Sequence, residues 1–445
     1  MMLLPVRKLV RMCTLLFPGF AALMLFLNIM DQEGKCTTQH LTYMCGLHAE
    51  GKVQGPLCDT MCSERLTIHR CLSMRPEKHV LHASLEPEGP WDMLHEQADE
   101  FVLKFSSKIW YQMIQQHKPS DPQLNYSYLI EQQAYKICMN EFENSKSCHR
   151  FGQRTRLYAD GDADGKISQS EESNMFSLLM QREFFMLLAL NDSKSTLDLY
   201  GYCGGFYAVQ KVQSTASQVF ETDDYVLDVL PDIFLDNVND ILVPLGKMLG
   251  QYGDEAAKYL HRNFVQVRFP EWKERVDFIQ QCFGILYDLS SQFGVTVRCC
   301  DSHLGNYGIT DSGRVVYLDM DNVMSTNAVL LYLSQQECQT DEDCTVGSYD
   351  DCSSKCNKDI GQCHNVTKQN DLHNFCISTL SPMLVAKTVV LEVGVDKKLV
   401  KKLSSLVREC EKLPLFTTVK DFREKGILYI WNKFNRILRD ETSVQ

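Results

Sequence analysis

Asp301, Asn306 and Asp319 have residue types and a spacing suited to phosphoryl transfer. They lie in Cys299-Cys300-Asp301-Ser302-His303-Leu304-Gly305-Asn306 and Val316-Tyr317-Leu318-Asp319-Met320-Asp321. In that chemistry a carboxylate accepts the proton of the attacking hydroxyl. An Asn five residues on holds a metal, and a second Asp on the following hairpin holds the metal that bridges the phosphates. Residues 307–318 read as strand, Asp-Ser-Gly turn, strand, which returns Asp319 to the side of Asn306. The plain alternative is a set of polar side chains near a hairpin with no shared task.

Other elements must complete such a site. A lysine at the end of an upstream strand would hold the α- and β-phosphates, and Glu100-Phe101-Val102-Leu103-Lys104 fits that description. Residues 79–85 read as an earlier strand and 86–90 as a turn, but no Gly-x-Gly-x-x-Gly precedes Lys104. Lys108 and Lys211 are the fallback lysines. A helix should supply a Glu partner for Lys104. Residues 125–142 have helical period, which makes Glu131 the first choice and Glu141 the second, with a surface Glu as the alternative for each. Residues 199–212 read as a hairpin around Cys203-Gly204-Gly205, ending near Gln210 and Val212, where adenine would be contacted. Helical stretches at 226–250 and 271–293 then lead through a strand at 295–298 into the Asp301 loop.

A second constellation is Asp160-Gly161-Asp162-Ala163-Asp164-Gly165-Lys166-Ile167-Ser168-Gln169-Ser170-Glu171. A calcium loop of the EF-hand type needs oxygen ligands at positions 1, 3, 5, 9 and 12, a backbone carbonyl at 7 and Gly at 6. Asp160, Asp162, Asp164, Ser168 and Glu171 fill the side-chain positions, Lys166 gives the carbonyl and Gly165 the turn. A solvated acidic loop is the alternative. Residues 171–190 suit an exiting helix; the entering helix is weaker, with Gly152 inside it. Such loops usually pair, and only Asn191-Asp192-Ser193 offers a degenerate partner.

The 445 residues carry a net charge of −12, which argues against nucleic acid as the main partner. Residues 12–30 form an apolar run preceded by Arg7, Lys8 and Arg11. This predicts one membrane-spanning signal-anchor helix with a cytoplasmic N-terminus, a cleaved signal peptide being the alternative. The chain has 19 cysteines. Five cluster at 36–71 and six at 338–376, in polar segments that read as disulfide-linked, with zinc as the rival. Sequons stand at Asn125, Asn191 and Asn365.

Taken together, these motifs resemble the first branch of the divergent protein kinase domain family, cysteine-rich type II membrane proteins of the endoplasmic reticulum with an EF-hand inserted in the kinase small lobe. The residues carrying the resemblance are Cys58-x3-Cys62 with His69-Arg70-Cys71, 101–104, 160–171, 201–212, 301–306, 318–321 and 338–376. The resemblance implies an α+β, two-lobed protein-kinase-like fold with an EF-hand insertion in the small lobe, preceded by one transmembrane helix. The expected division is a tail at 1–11, the anchor at 12–30 and a cysteine-rich segment at 31–75. A small lobe at 76–212, with the insertion at about 143–195, precedes a large lobe at 213–445 with a cysteine-rich insertion at 338–376. Asp301, Lys104 and Glu131 would be catalytic. ATP with Mg2+ or Mn2+ would be held by Lys104, Asn306, Asp319, Gln210 and Val212, and Ca2+ by the 160–171 loop. The expected activity is phosphoryl transfer to a hydroxyl of a secretory-pathway protein in the lumen. A calcium-binding pseudokinase scaffold and a small-molecule or glycan kinase are the alternatives. Three departures stand out: Cys299-Cys300-Asp301 in place of His-Arg-Asp, Asp319-Met320-Asp321 in place of Asp-Phe-Gly, and no Ala-Pro-Glu.

Overall fold

A computed structural model of the chain describes residues 38–75, 78–85, 100–106, 108, 123–220, 270–290, 292–347, 350–385, 395–416 and 418–442. The apolar run at 12–30 and the helical stretch expected at 226–250 lie outside them. Among the described residues no helix is long and apolar enough to cross a membrane.

Alternating side chains build a five-stranded antiparallel sheet, ordered β1-β2-β3-β5-β4. Its strands are β1 (Leu66–Arg75), β2 (Lys78–Leu85), β3 (Glu100–Phe105), β4 (Leu199–Cys203) and β5 (Phe206–Gln210). The sheet therefore begins ten residues before the expected boundary at 76. One face buries Leu81, Ala83, Phe101, Leu103, Phe105, Phe206 and Ala208 against Met44, Leu47, Leu57 and Met61. Those come from helices α1 (Thr38–Ala49) and α2 (Cys58–Met61) and the segment between them. The disulfides Cys45–Cys62 and Cys58–Cys203 fasten this cover to itself and to β4. Pairing of Val80 with Lys104, His82 with Val102, and Lys104 with Tyr207 places Lys78, Val80, His82, Val102, Lys104 and Tyr207 on the opposite face.

After β3 the chain forms α3 (Tyr126–Phe142), α4 (Ser145–Ala159), α5 (Gln169–Leu179) and α6 (Arg182–Ala189). Asn125, Asn144 and Ser168 cap the first three through side-chain oxygens that accept backbone N–H groups. Cys138–Cys148 ties α3 to α4. The run 171–190, expected as one helix, is two. Gln181 is extended, and its side chain is engaged elsewhere, accepting from Ser106 N at 3.0 Å and donating to Gly205 O at 2.9 Å. That anchor turns α6 toward the sheet.

The rest of the fold centres on the hairpin β8 (Tyr307–Ile309) and β9 (Val315–Tyr317). Strand β6 (Ser214–Thr215) pairs with β8, while β7 (Val297–Cys299) pairs with β10 (Val323–Ser325). Helix α7 (Trp272–Leu289) buries Phe278, Ile279, Cys282 and Phe283 beneath them. Phe283 stacks on Trp431 of α10 (Leu428–Thr442). The cysteine-rich segment forms a small hairpin, β11 (Ser354–Asn357) with β12 (Gln362–Thr367), against α8 (Thr326–Ser334). Its disulfides are Cys338–Cys356 and Cys344–Cys363. Cys376 pairs instead with Cys410, on α9 (Lys397–Cys410), outside the segment. Cys338, Cys344 and Cys363 approach one another, but their sulfurs are in disulfides and offer zinc no thiolate. Among the described cysteines Cys282 and Cys299 are free, and both are buried.

Candidate functional site

The inner face of the sheet meets the turn that follows the β8–β9 hairpin in a cluster of five charged side chains. Lys104 Nζ lies 2.6 Å from Glu183 Oε1, and Lys78 Nζ lies 2.8 Å from Glu183 Oε2. The Tyr207 hydroxyl donates to the same Oε2 at 2.8 Å. Lys78 also reaches Asp321 Oδ2 at 2.6 Å and Asp319 Oδ1 at 3.3 Å. Glu183 N donates to Asp321 Oδ1 at 3.2 Å, and Asp321 N to Asp319 Oδ1 at 3.1 Å. Burial alone would raise the Glu183 carboxyl, but the two ammonium groups outweigh it and hold the group at about 2. Burial also pulls Lys78 down; Glu183, Asp321 and Asp319 hold it well above the ordinary lysine range. Asp321 is raised, first by desolvation and then by the charge of Glu183.

The partner of Lys104 is thus Glu183, not Glu131. Glu131 sits on α3 with Arg156 of α4 at 3.6 Å, because α3 packs mainly on α4 and α5. Glu141 is bound by Arg182 at 2.8 Å, and Arg182 also donates to Val323 O. Glu141 therefore steadies α6 from behind. It follows that the 160–171 loop comes before the Glu-bearing helix, not after it as the sequence order suggested. Signals for both missed residues exist. Glu183 is an acid in the otherwise apolar stretch Phe184-Phe185-Met186-Leu187-Leu188, where a buried carboxylate needs a cation. Lys78 shares the alternation phase of Val80 and His82, which puts it on the face of Lys104.

Asp301 is buried at the end of the β7 turn, with His303 Nε2 3.3 Å from its Oδ1. The Asp301 carbonyl accepts from Asn306 Nδ2 at 2.8 Å and from the Tyr317 hydroxyl at 2.6 Å. The amide nitrogen of Asn306 is thereby committed to the loop, leaving its oxygen as the atom suited to a cation. Leu318 N donates to Asn306 O at 2.8 Å, so the hairpin does carry Asp319 back to Asn306. The loop is also fastened from the cysteine-rich segment. Cys300 is bonded to Cys352, and Ser302 N donates to Asp351 Oδ2 at 2.5 Å. Desolvation raises the Asp351 carboxyl to about 6. Behind the loop, buried Arg298 pairs with Asp371 at 2.9 Å.

Gln210 and Val212 lie on the crossing from the sheet to the hairpin. Gln210 Oε1 accepts from Arg314 at 2.8 Å, and Val212 packs over Gly308, where an added Cβ would lie 2.7 Å from its Cγ1. Gln213 N donates to Ile309 O, which joins the two parts directly. Of the fallback lysines, Lys211 pairs with Glu100, and Lys108 is exposed. His82 faces Glu100 at 3.2 Å on the sheet face that bears Lys104.

In the 160–171 loop the carboxylates of Asp160, Asp162 and Glu171 converge within 4.8 Å. Asp160 Oδ2 accepts from Gly165 N, Asp162 from Asp164 N, Asp164 from Lys166 N, and Glu171 from Gly161 N and Ser168 N. Asp160 Oδ1 is buried without a hydrogen-bond partner among the described residues. The Asn191–Ser193 turn is not a partner loop: Asp192 pairs with Arg154 and Ser193 with Asp288. Instead the stretch before α2 lies against the loop. Ser168 Oγ donates to Gln54 Oε1 at 2.6 Å and Ser170 Oγ to Gly51 O at 3.0 Å.

The Cys300–Cys352 bridge supports a direct test. It closes a separation of 52 residues, and loop entropy assigns such a link about 4 kcal/mol. The Cys300→Ala/Cys352→Ala pair is expected to lower the midpoint of denaturant unfolding. The Lys104–Glu183 pair lies outside the loop that this bridge closes and should keep its geometry. An unchanged midpoint would contradict this reading of the bridge.

A family model described as the protein-kinase domain of FAM69 matches residues 175–413. Glu183, Asp301, Asn306 and Asp319 lie inside the match; Lys78, Lys104 and the 160–171 loop precede it.

Proposed function

Because the chain belongs to the family that carries the protein-kinase domain of FAM69, we propose that it transfers the terminal phosphoryl of ATP to a hydroxyl of a secretory-pathway protein. The buried Lys104–Glu183 pair carries this reading, since kinases hold the nucleotide phosphates with a strand lysine fixed by a helix glutamate. The substrate oxygen attacks the γ-phosphorus, the bond to the bridging oxygen of ADP breaks, and the hydroxyl proton passes to Asp301. His303 orients that carboxylate. Lys104 holds the α- and β-phosphates, and Gln210 and Val212 border the base. Asn306 and Asp319 offer hard oxygen ligands suited to Mg2+ or Mn2+, and a cationic ammonium already rests on Asp319. When bound, the metal neutralises charge on the phosphates.

The cysteines support a luminal compartment. Seven disulfides among the described residues favour an oxidising lumen. The apolar run at 12–30 would anchor the chain as a single-pass type II protein of the endoplasmic reticulum, and Asn365 is exposed for a glycan. The 160–171 loop suits Ca2+: three carboxylates converge, and the buried Asp160 oxygen lacks a hydrogen-bond partner.

Labelled-phosphate transfer with Mg2+ or Mn2+ tests the activity. Asp319→Ala is expected to abolish metal-dependent ATP binding, whereas Asp301→Ala keeps binding and loses transfer by at least about 100-fold. Equal ATP affinity in the native chain and Asp319→Ala would overturn the assignment. Binding without any transfer, given a broad panel of hydroxyl acceptors, would leave a nucleotide-binding pseudokinase.

A further inference from the structure

We propose that Lys78 is an exchangeable cation of the phosphate site. It neutralises Glu183, Asp319 and Asp321 until a metal takes their charge, and then binds the nucleotide phosphates in the role a glycine-rich loop would otherwise fill. The nucleotide half of this proposal rests on the phosphotransferase reading; the metal half does not.

Four observations carry it. Lys78 Nζ touches three carboxylates, at 2.6, 2.8 and 3.3 Å, and one of them is the expected metal ligand Asp319. Lys104 already occupies the other oxygen of Glu183, so that carboxylate keeps a cation if Lys78 leaves. A dication on Asp319 would repel an ammonium group on the same carboxylate oxygen. Lys78 begins β2 on the sheet face that bears Lys104. No Gly-x-Gly-x-x-Gly precedes Lys104 in the sequence. A lysine has a four-carbon stem that lets its ammonium move while the strand stays fixed.

A lysine serving only as a structural tie has different consequences: its removal would weaken every property of the site together. Exchange predicts opposite signs. Mn2+ binding to the full-length chain, counting only the site that Asp319→Ala eliminates, is expected to tighten about tenfold or more in Lys78→Met. Affinity for Mg·ATP is expected to fall by about tenfold in the same variant and to recover partly in Lys78→Arg. Mn2+ affinity that is unchanged or weaker in Lys78→Met would overturn the proposal. If that variant does not fold, acetylation of Lys78 in the native chain, read by mass spectrometry, gives the same answer. Labelling should rise with Mn2+ alone and fall again with Mn·ATP, and labelling indifferent to Mn2+ would reject exchange. If Mn2+ exposes Lys78 but ATP never binds, the phosphotransferase reading fails and the exchange at the carboxylates stands.

Discussion

Glu183→Ala is expected to eliminate phosphoryl transfer and to cost about 3–5 kcal/mol of stability, the range for removing one partner of a buried ion pair. Glu183 is 1% exposed, and two ammonium groups and a tyrosine hydroxyl converge on it. Its loss leaves Lys104, itself only 8% exposed, without its closest carboxylate. Glu131→Ala is the matched control. Its contact with Arg156 is long and partly solvated, so the change should stay within about 0.5 kcal/mol and leave transfer intact. Chemical denaturation and a transfer assay on both variants check the contrast. Equal losses in the two would return the role to Glu131.

The same residue sets an acid limit. The folded carboxyl is held at about 2 against an ordinary value of 4.5. A depressed carboxylate contributes its full stability above about pH 4.5 and loses it as the pH falls toward 2. Denaturation midpoints of the native chain should therefore decline across that window. The decline should be shallower in Glu183→Ala, which has no group to protonate there.

Much of this arrangement was legible in the residues. The hairpin that returns Asp319 to Asn306 follows from strand alternation around Asp311-Ser312-Gly313, and Lys104 from an apolar strand ending in a cation. Disulfide usage was readable from the polar setting of the cysteines, whereas the partners of Cys58 and Cys376 were not, since Cys203 and Cys410 lie 145 and 34 residues away. Glu183 was hidden by a different difficulty. Periodicity describes which residues share a helix face, and 171–190 has helical character throughout. The break at Gln181 depends on tertiary partners, Ser106 N and Gly205 O, that no local pattern contains. Once that break is made, α6 brings Glu183 to Lys104, and the order of helix and loop reverses. Lys78 was missed because a glycine-rich loop was the feature sought; what stands there is a charge.

That reversed order decides what calcium should do. Helix α5 leaves the 160–171 loop, and Glu183 lies four residues past its end at Leu179. Glu171 at present accepts two backbone N–H groups and completes the capping box of α5. Ligation of Ca2+ would add a cation to oxygens that also hold the start of α5, so the start of α5 is the place where binding acts. Its far end meets Gln181, clamped to the sheet, and Arg182, clamped to Glu141 and Val323 O. Displacement of α5 is therefore expected to stop at Gln181. Ca2+ should raise the melting temperature by several degrees, since a hundredfold excess over the dissociation constant adds about 2.7 kcal/mol. Glu171→Ala should remove that shift. ATP affinity should change less than about twofold with Ca2+ in the native chain, which is below the usual range of an allosteric coupling. Gln181→Ala removes the clamp, and ATP affinity should then depend on Ca2+. A native chain whose ATP affinity moves tenfold with Ca2+ would show that the clamp transmits the shift, and a melting curve indifferent to Ca2+ would show that the loop does not bind it.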